Sequence, residues 1–208
     1  MSYYLARRAV LKWLETPSVY QVAKDELYEL DDASFNFLRN CVSEEGCSSQ
    51  DSAFIDCCVE EGILTTERAV VQRPSLTQAP KPSLRYLELQ ITDACNLQCR
   101  HCYRNESSNQ ELSVDQVRSA LTQFEAMQGL RVLITGGEPL LHTKFDAINE
   151  MLPDFFLRKV LFTNGVLLTK ETLKSLKVDE IQEHACSRPV AVRKAQGIDL
   201  PADRCARA

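Results

Sequence analysis

From residue 84 onward the apolar positions alternate between two periods. Leu84-Arg85-Tyr86-Leu87-Glu88-Leu89-Gln90-Ile91 has the period of two that marks a buried strand. Ser113-Val114-Asp115-Gln116 then has the form of a capping box, and Val117, Leu121 and Phe124 continue a helical face to a stop at Gly129. Leu130–Thr135 reads as the second strand. Phe145, Ile148 and Leu152 mark a second helix, closed near Pro153. Val160–Thr163 reads as the third strand, Thr169 caps a helix bearing Leu173 and Leu176, and Asp179–Gln182 opens a fourth strand. Strand–helix units repeating every ~30 residues imply a parallel sheet with right-handed crossovers.

The first eighty residues follow a different pattern. Ala9–Glu15 has no clear period, and Thr16-Pro17-Ser18 breaks it. Val19–Ala23 and Glu26–Leu30 alternate like strands, and are expected to pair as a small antiparallel sheet around Lys24-Asp25. Asp31 and Asp32 are N-caps for a helix carrying Phe35, Leu38 and Val42. A second helix, Asp51 to Glu61, places Phe54, Ile55 and Cys58 together and stops at Gly62, before an extended Ile63-Leu64. Pro74, Pro80 and Pro82, among Ser, Thr, Gln and Lys, give residues 71–83 the composition of an exposed linker. The organisation expected is therefore a small α+β domain over 1–72, a linker at 73–83, an α/β domain over 84–182 and an irregular tail at 183–208.

Composition narrows the function classes. At 208 residues the chain can bury a proper core, and 44% hydrophobic with 25% charged residues is ordinary for a soluble globular protein. A net charge of −5 without a basic stripe argues against nucleic acid as a partner. No apolar run reaches the length of a membrane span, and no signal-peptide stretch follows Arg7-Arg8, so the expectation is a cytoplasmic protein with no membrane partner. In a reducing compartment nine cysteines point to metal binding, catalysis or burial, and an odd count argues against complete bridging. For Cys41, Cys47, Cys57 and Cys58 the spacings match no compact ligand pattern. At least one of the adjacent pair Cys57–Cys58 is expected in the core, with a zinc or auxiliary cluster site as the minor alternative.

Cys95, Cys99 and Cys102 are different. They fall on one short loop just after a strand, at the strand end where α/β folds place their chemistry. Three thiolates there can hold three irons of a [4Fe-4S] cluster and leave the fourth open. The loops after the next two strands carry Gly136-Gly137-Glu138-Pro139 and Asn164-Gly165. Two glycines allow a ligand to approach the backbone closely, and Glu138 supplies a carboxylate suited to an ammonium group.

Cys95-x3-Cys99-x2-Cys102 followed by Tyr103, together with Gly136-Gly137-Glu138-Pro139, resembles the radical S-adenosylmethionine (radical SAM) superfamily over about residues 84 to 182. The resemblance implies a partial (β/α) radical SAM barrel. Cys95, Cys99 and Cys102 would ligate the cluster, with S-adenosylmethionine chelating the open iron. Gly136, Gly137 and Glu138 would contact its amino group, Tyr103 would lie near the adenine, and Asn164 joins the cofactor-binding set. It further implies an external one-electron reductant and reductive cleavage to a 5'-deoxyadenosyl radical that abstracts a substrate hydrogen. His101, between two ligands, is read as a loop residue, and His142 and His184 have no constellation around them.

The first domain resembles a winged helix-turn-helix, and more narrowly the recognition domain of maturases of ribosomally made peptides. Those domains add a leader peptide to a sheet edge as a strand. The acidic Asp25, Glu26, Glu29, Asp31 and Asp32 disfavour DNA, the other common partner of such a fold. The substrate expected is thus a precursor peptide.

After Gln182 the periodicity is lost: Glu183–Pro189 and the Ala- and Arg-rich tail through Ala208 contain no element of useful length. That reads as a truncated or frame-shifted gene, with Cys186 and Cys205 accidental and the edge of the third or fourth strand left unpaired. Two functions follow: a radical SAM peptide maturase, or a non-catalytic remnant that binds a peptide, and a cluster at most, without turnover.

Overall fold

A computed structural model describes residues 1–68, 71–99, 102, 110–183 and 191–194. The chain forms two compact units. The first gathers Met1–Arg85 with Thr122–Leu130 and Phe156–Arg158, and the second comprises the remaining segments.

In the first unit β1 (Tyr4–Leu5) pairs antiparallel with β5 (Leu64–Thr65). The hairpin expected around Lys24-Asp25 is present, as β3 (Pro17–Gln21) paired with β4 (Glu26–Glu29), and it gains a third strand, β2 (Ala9–Trp13). The Ala9–Glu15 run had no legible period because both faces of β2 are covered. Ala9 and Leu11 join Val19, Phe35, Leu38, Ile55 and Cys58 in one core cluster, while Val10 and Leu14 join Tyr20, Val22 and Ala79 in another. Strands buried on both sides lose the alternation that identifies them.

Two helices follow, the first capped by the expected Asp31 and the second by Asp51. Asp31 accepts from the Ser34 amide at 2.7 Å to start α1 (Asp32–Asn40), and Asp51 accepts from the Phe54 amide at 3.0 Å to start α2 (Ser52–Glu60). Gly62 ends α2 with a φ of +67°, the left-handed conformation glycine supplies without steric cost. Val42 is not on the α1 core face: the helix ends at Asn40 and Val42 is 41% exposed.

Residues 71–83 are largely exposed, as expected, but they are also tied to the first unit. The Arg73 guanidinium donates to the Leu5 and Ala6 carbonyls at 2.9 and 2.8 Å, the Ala79 amide donates to the Trp13 carbonyl at 2.8 Å, and Ala79 is buried. Three prolines remove three amide donors from this segment, so it can lie against the sheet with few backbone groups left to satisfy.

The second unit is built on β6 (Tyr86–Thr92), β7 (Arg131–Gly136), β8 (Arg158–Thr163) and β9 (Glu180–Glu183), with α3 (Val114–Ala126), α4 (Phe145–Met151) and α5 (Lys170–Ser175) between them. Sheet order is β10-β9-β8-β7-β6, where β10 is Ala191–Lys194. β6 pairs parallel with β7, and β8 with β9. The capping box forms reciprocally: the Gln116 amide donates to Ser113 Oγ at 3.2 Å, and the Ser113 amide to Gln116 Oε1 at 2.8 Å. Val117, Leu121 and Phe124 are all buried on α3. Tyr86, read as part of a buried strand, is 72% exposed, and burial along β6 deepens only toward Ile91 and Thr92.

β10 corrects the expectation of a tail without strands and of an unpaired β9 edge. It lies antiparallel on β9, from Ala191 opposite Glu183 to Lys194 opposite Glu180. Its four residues, Ala-Val-Arg-Lys, are too few to show a period, so the pairing comes from the partner strand's backbone and not from a pattern. His184, Cys186 and Cys205 lie outside the described residues.

Candidate active site

The loops that carry the candidate chemistry leave the C-terminal ends of three neighbouring strands. β6 runs into Asp93–Cys102, β7 ends in Gly136 and continues through Gly137-Glu138, and β8 ends at Thr163 before Asn164-Gly165. Parallel strands require this, because every crossover must return to the starting edge before the next strand begins.

The two glycines serve the protein's own backbone. A Cβ on Gly137 would lie 2.4 Å from the Ala94 carbonyl oxygen and 2.7 Å from that of Asp93, and one on Gly136 would lie 2.7 Å from the Thr92 carbonyl oxygen. The Gly137 amide donates to the Thr92 carbonyl at 2.9 Å and the Glu138 amide to the Ala94 carbonyl at 2.7 Å. The ledge at the end of β7 thus clamps the two residues before Cys95. Sequence reasoning expected these glycines to let a ligand approach the backbone; the structure adds that the cysteine loop itself packs against them.

Glu138 is also engaged differently from a free carboxylate. It is 0% exposed. Thr163 Oγ1 donates to its Oε1 at 2.8 Å, the Leu140 amide to the same oxygen at 3.1 Å, and the Asn164 amide to Oε2 at 2.8 Å. Burial pushes its carboxyl above the usual carboxylate range, against the three donors, which favour the ionised form. Asn164 in turn donates from Nδ2 to Asn96 Oδ1 at 2.7 Å, while its own Oδ1 accepts from the Val166 amide at 3.0 Å. Gly165 has a φ of +78°, and the Cδ of Glu183, the last residue of β9, lies 3.4 Å from where its Cβ would be. Glu138, Asn164 and Asn96 therefore form one line of hydrogen bonds across all three loops.

Cys95 and Cys99 are half-buried, Cys102 is exposed, and none of the three is in a disulfide. The Cys102 amide donates to the Cys99 carbonyl at 3.0 Å, which turns the loop back on itself. Among the described residues no three His, Cys, Asp or Glu side chains are already gathered as a metal set. The loop supplies the donors, and a bound metal would draw them together. The donor set fits an iron–sulfur cluster: three sulfur ligands on one loop, none consumed in a disulfide, on a base fixed by the Gly-Gly ledge. Tyr103 and His101 lie outside the described residues.

The thiols of the first unit have another character. Cys41 and Cys58 are buried, and burial raises their thiols to about 12 and about 11. Cys57, beside Cys58 on α2, is exposed. His142 is structural: its Nδ1 accepts from the Lys144 amide at 2.9 Å, which leaves Nε2–H to donate to the Leu112 carbonyl at 2.8 Å. Sequence reasoning passed over Thr92, Asn96 and Thr163. Asn96 sits inside the cysteine motif and Thr163 directly precedes Asn164-Gly165, so adjacency to a motif was the available signal.

Residues 89–179 match the family model described as the Radical SAM superfamily. A GTP 3',8-cyclase of Actinobacillus succinogenes is 35% identical over 103 residues, covering 46% of this chain and 31% of that protein. An AdoMet-dependent heme synthase of Methanosarcina barkeri is 31% identical over 116 residues, covering 54% of this chain and 32% of that one. The chain spans about a third of the length of these curated relatives. Among solved structures, Streptococcus suis SuiB bound to its precursor peptide SuiA superposes with a TM-score of 0.57 at 18% identity, over 86% of this chain and 46% of that one, a likeness of fold. The three-cysteine loop clamped on a Gly-Gly-Glu ledge at the strand ends lies within residues 89–179, which form a partial radical SAM segment; enzymes of that superfamily use a [4Fe-4S] cluster and S-adenosylmethionine.

Proposed function

We propose that this chain holds a [4Fe-4S] cluster on Cys95, Cys99 and Cys102, binds S-adenosylmethionine beside it, and acts on a ribosomally made precursor peptide. The observation that carries the reading is the clamp of the cysteine loop on the Gly136-Gly137 ledge, which sets the donor loop and a line of backbone polar groups at one end of the sheet. When bound, the cluster and S-adenosylmethionine supply one-electron radical chemistry. The chain's own residues do the rest. The three thiols bind, the ledge backbone orients the amino group, and Glu138, fully buried, holds the ledge and the β8 loop in register.

The peptide is assigned to the outer edge of β4, the last strand in the order β2-β3-β4. Because the Leu30 amide bonds to the Pro17 carbonyl, alternation turns the backbone groups of Leu27 and Glu29 away from β3, ready for an added strand.

Anaerobic reconstitution with iron, sulfide, S-adenosylmethionine and a strong reductant, followed by assay of 5'-deoxyadenosine, tests the reading. Iron bound with deoxyadenosine released is the expected result. A cluster without deoxyadenosine would make this chain a binding remnant, and zinc in place of iron would remove the cluster assignment altogether.

A further inference from the structure

We propose that Asn164 is a positioning residue: it latches the cysteine loop to the end of β8 through Asn96, with Glu138 as the post that holds the latch. The inference rests on the radical SAM reading of the loop and gives that loop a named internal restraint. Three observations carry it. Asn164 Nδ2 donates to Asn96 Oδ1 at 2.7 Å, and Asn96 is the residue directly after Cys95. The backbone of Asn164 is fixed by its amide's bond to Glu138 Oε2 at 2.8 Å, and its side chain is aimed by the bond that Oδ1 accepts from the Val166 amide at 3.0 Å. Glu138 is itself immobilised, with no exposed surface and with Thr163 Oγ1 and the Leu140 amide on its other oxygen.

The clamp on the ledge fixes the chain up to Ala94, and the Cys102–Cys99 bond closes the far side of the loop. Asn96 supplies the tie between these two points. A loop that must bring three donors to one site gains most from such a restraint before the metal arrives, because ordering lost at binding lowers affinity. The carboxylate expected to touch a ligand directly therefore acts one step removed, through the β8 loop.

The test uses the full-length chain, reduced and metal-free, so that it does not depend on cluster or cofactor binding. Iodoacetamide labelling is followed thiol by thiol by peptide mass spectrometry in wild type, Asn96→Leu, Asn164→Ala and Asn96→Asp. Asn96→Leu removes the acceptor at an exposed position and leaves the fold intact, whereas Asn96→Asp retains an acceptor for Asn164 Nδ2. Cys95 and Cys99 should label about three- to tenfold faster in Asn96→Leu and Asn164→Ala, the span of one net hydrogen bond, and return toward the wild-type rate in Asn96→Asp. Exposed Cys57, on α2, is the internal standard and should not change. Equal rates at Cys95 and Cys99 in wild type and Asn96→Leu would overturn the latch. Failure of wild type to take up iron would overturn the functional reading and leave these labelling rates as they are.

Discussion

Two groups of the described cysteines contrast, and the difference between them shows what a fold does to one functional group. Cys41 and Cys58 sit in a helix-on-sheet core, where burial raises their thiols to about 12 and about 11; they are small apolar residues that happen to contain sulfur. Cys95, Cys99 and Cys102 sit on a strand-end loop, half-buried or exposed, with no apolar core closing over them. Sequence spacing distinguishes the two groups, and the environment explains why only one is available for ligation. A thiol must lose its proton to bind iron, and a low-dielectric core forbids that.

The comparison is broken most directly by exchanging the sites' fates. Cys99→Ala should reduce iron uptake in anaerobic reconstitution to background, while Cys58→Ala should leave it unchanged; iron lost equally in both variants would erase the distinction. The second test extends burial's effect from thiols to an ammonium group. Lys12 is buried, its Nζ donating to the Gly129 carbonyl at 2.7 Å, and desolvation lowers its pKa to about 8 against the attraction of Glu125. The unfolded chain then holds the Lys12 proton more tightly than the folded one between pH 8 and pH 10.5. Stability contributed by this group accordingly rises across that window, by roughly 3 kcal/mol in total. Urea unfolding at pH 7.5 and pH 10 should show the slope in wild type and its loss in Lys12→Met; a slope that persists in the variant would assign it elsewhere. The smallest effect concerns the base of the reactive loop. Gly137→Ala places a methyl group 2.4 Å from the Ala94 carbonyl oxygen, and the strain should cost roughly 1–3 kcal/mol in denaturant unfolding and loosen the cysteine loop. A wild-type midpoint would mean that the loop yields without resistance.

Legibility differed in the same way. The capping box at Ser113–Gln116, the caps at Asp31 and Thr169, and β6 to β9 were all readable, because each depends on residues near one another in the chain. β2 was not, since coverage of both its faces erased the alternation that identifies a strand. The ties that hold residues 71–83 were not readable, because proline-rich composition is the same in a free tether and in a strap laid on a sheet. At the site, the sequence located the cysteines and the Gly-Gly-Glu motif. It did not show that the glycines also make room for the carbonyls of Asp93 and Ala94, because these lie more than forty residues earlier in the chain.

By itself, the sequence determined which residues are the candidates for the chemistry and at which strand ends they fall, since residue type, spacing and period are local properties. Tertiary structure alone decided what each of those residues touches. It made Glu138 a buried post, joined Asn164 to Asn96, and silenced Cys41 and Cys58. The physical reason is range. Hydrogen bonds between loops and desolvation by a core depend on which distant segments meet, and only the closing of the sheet brings them together.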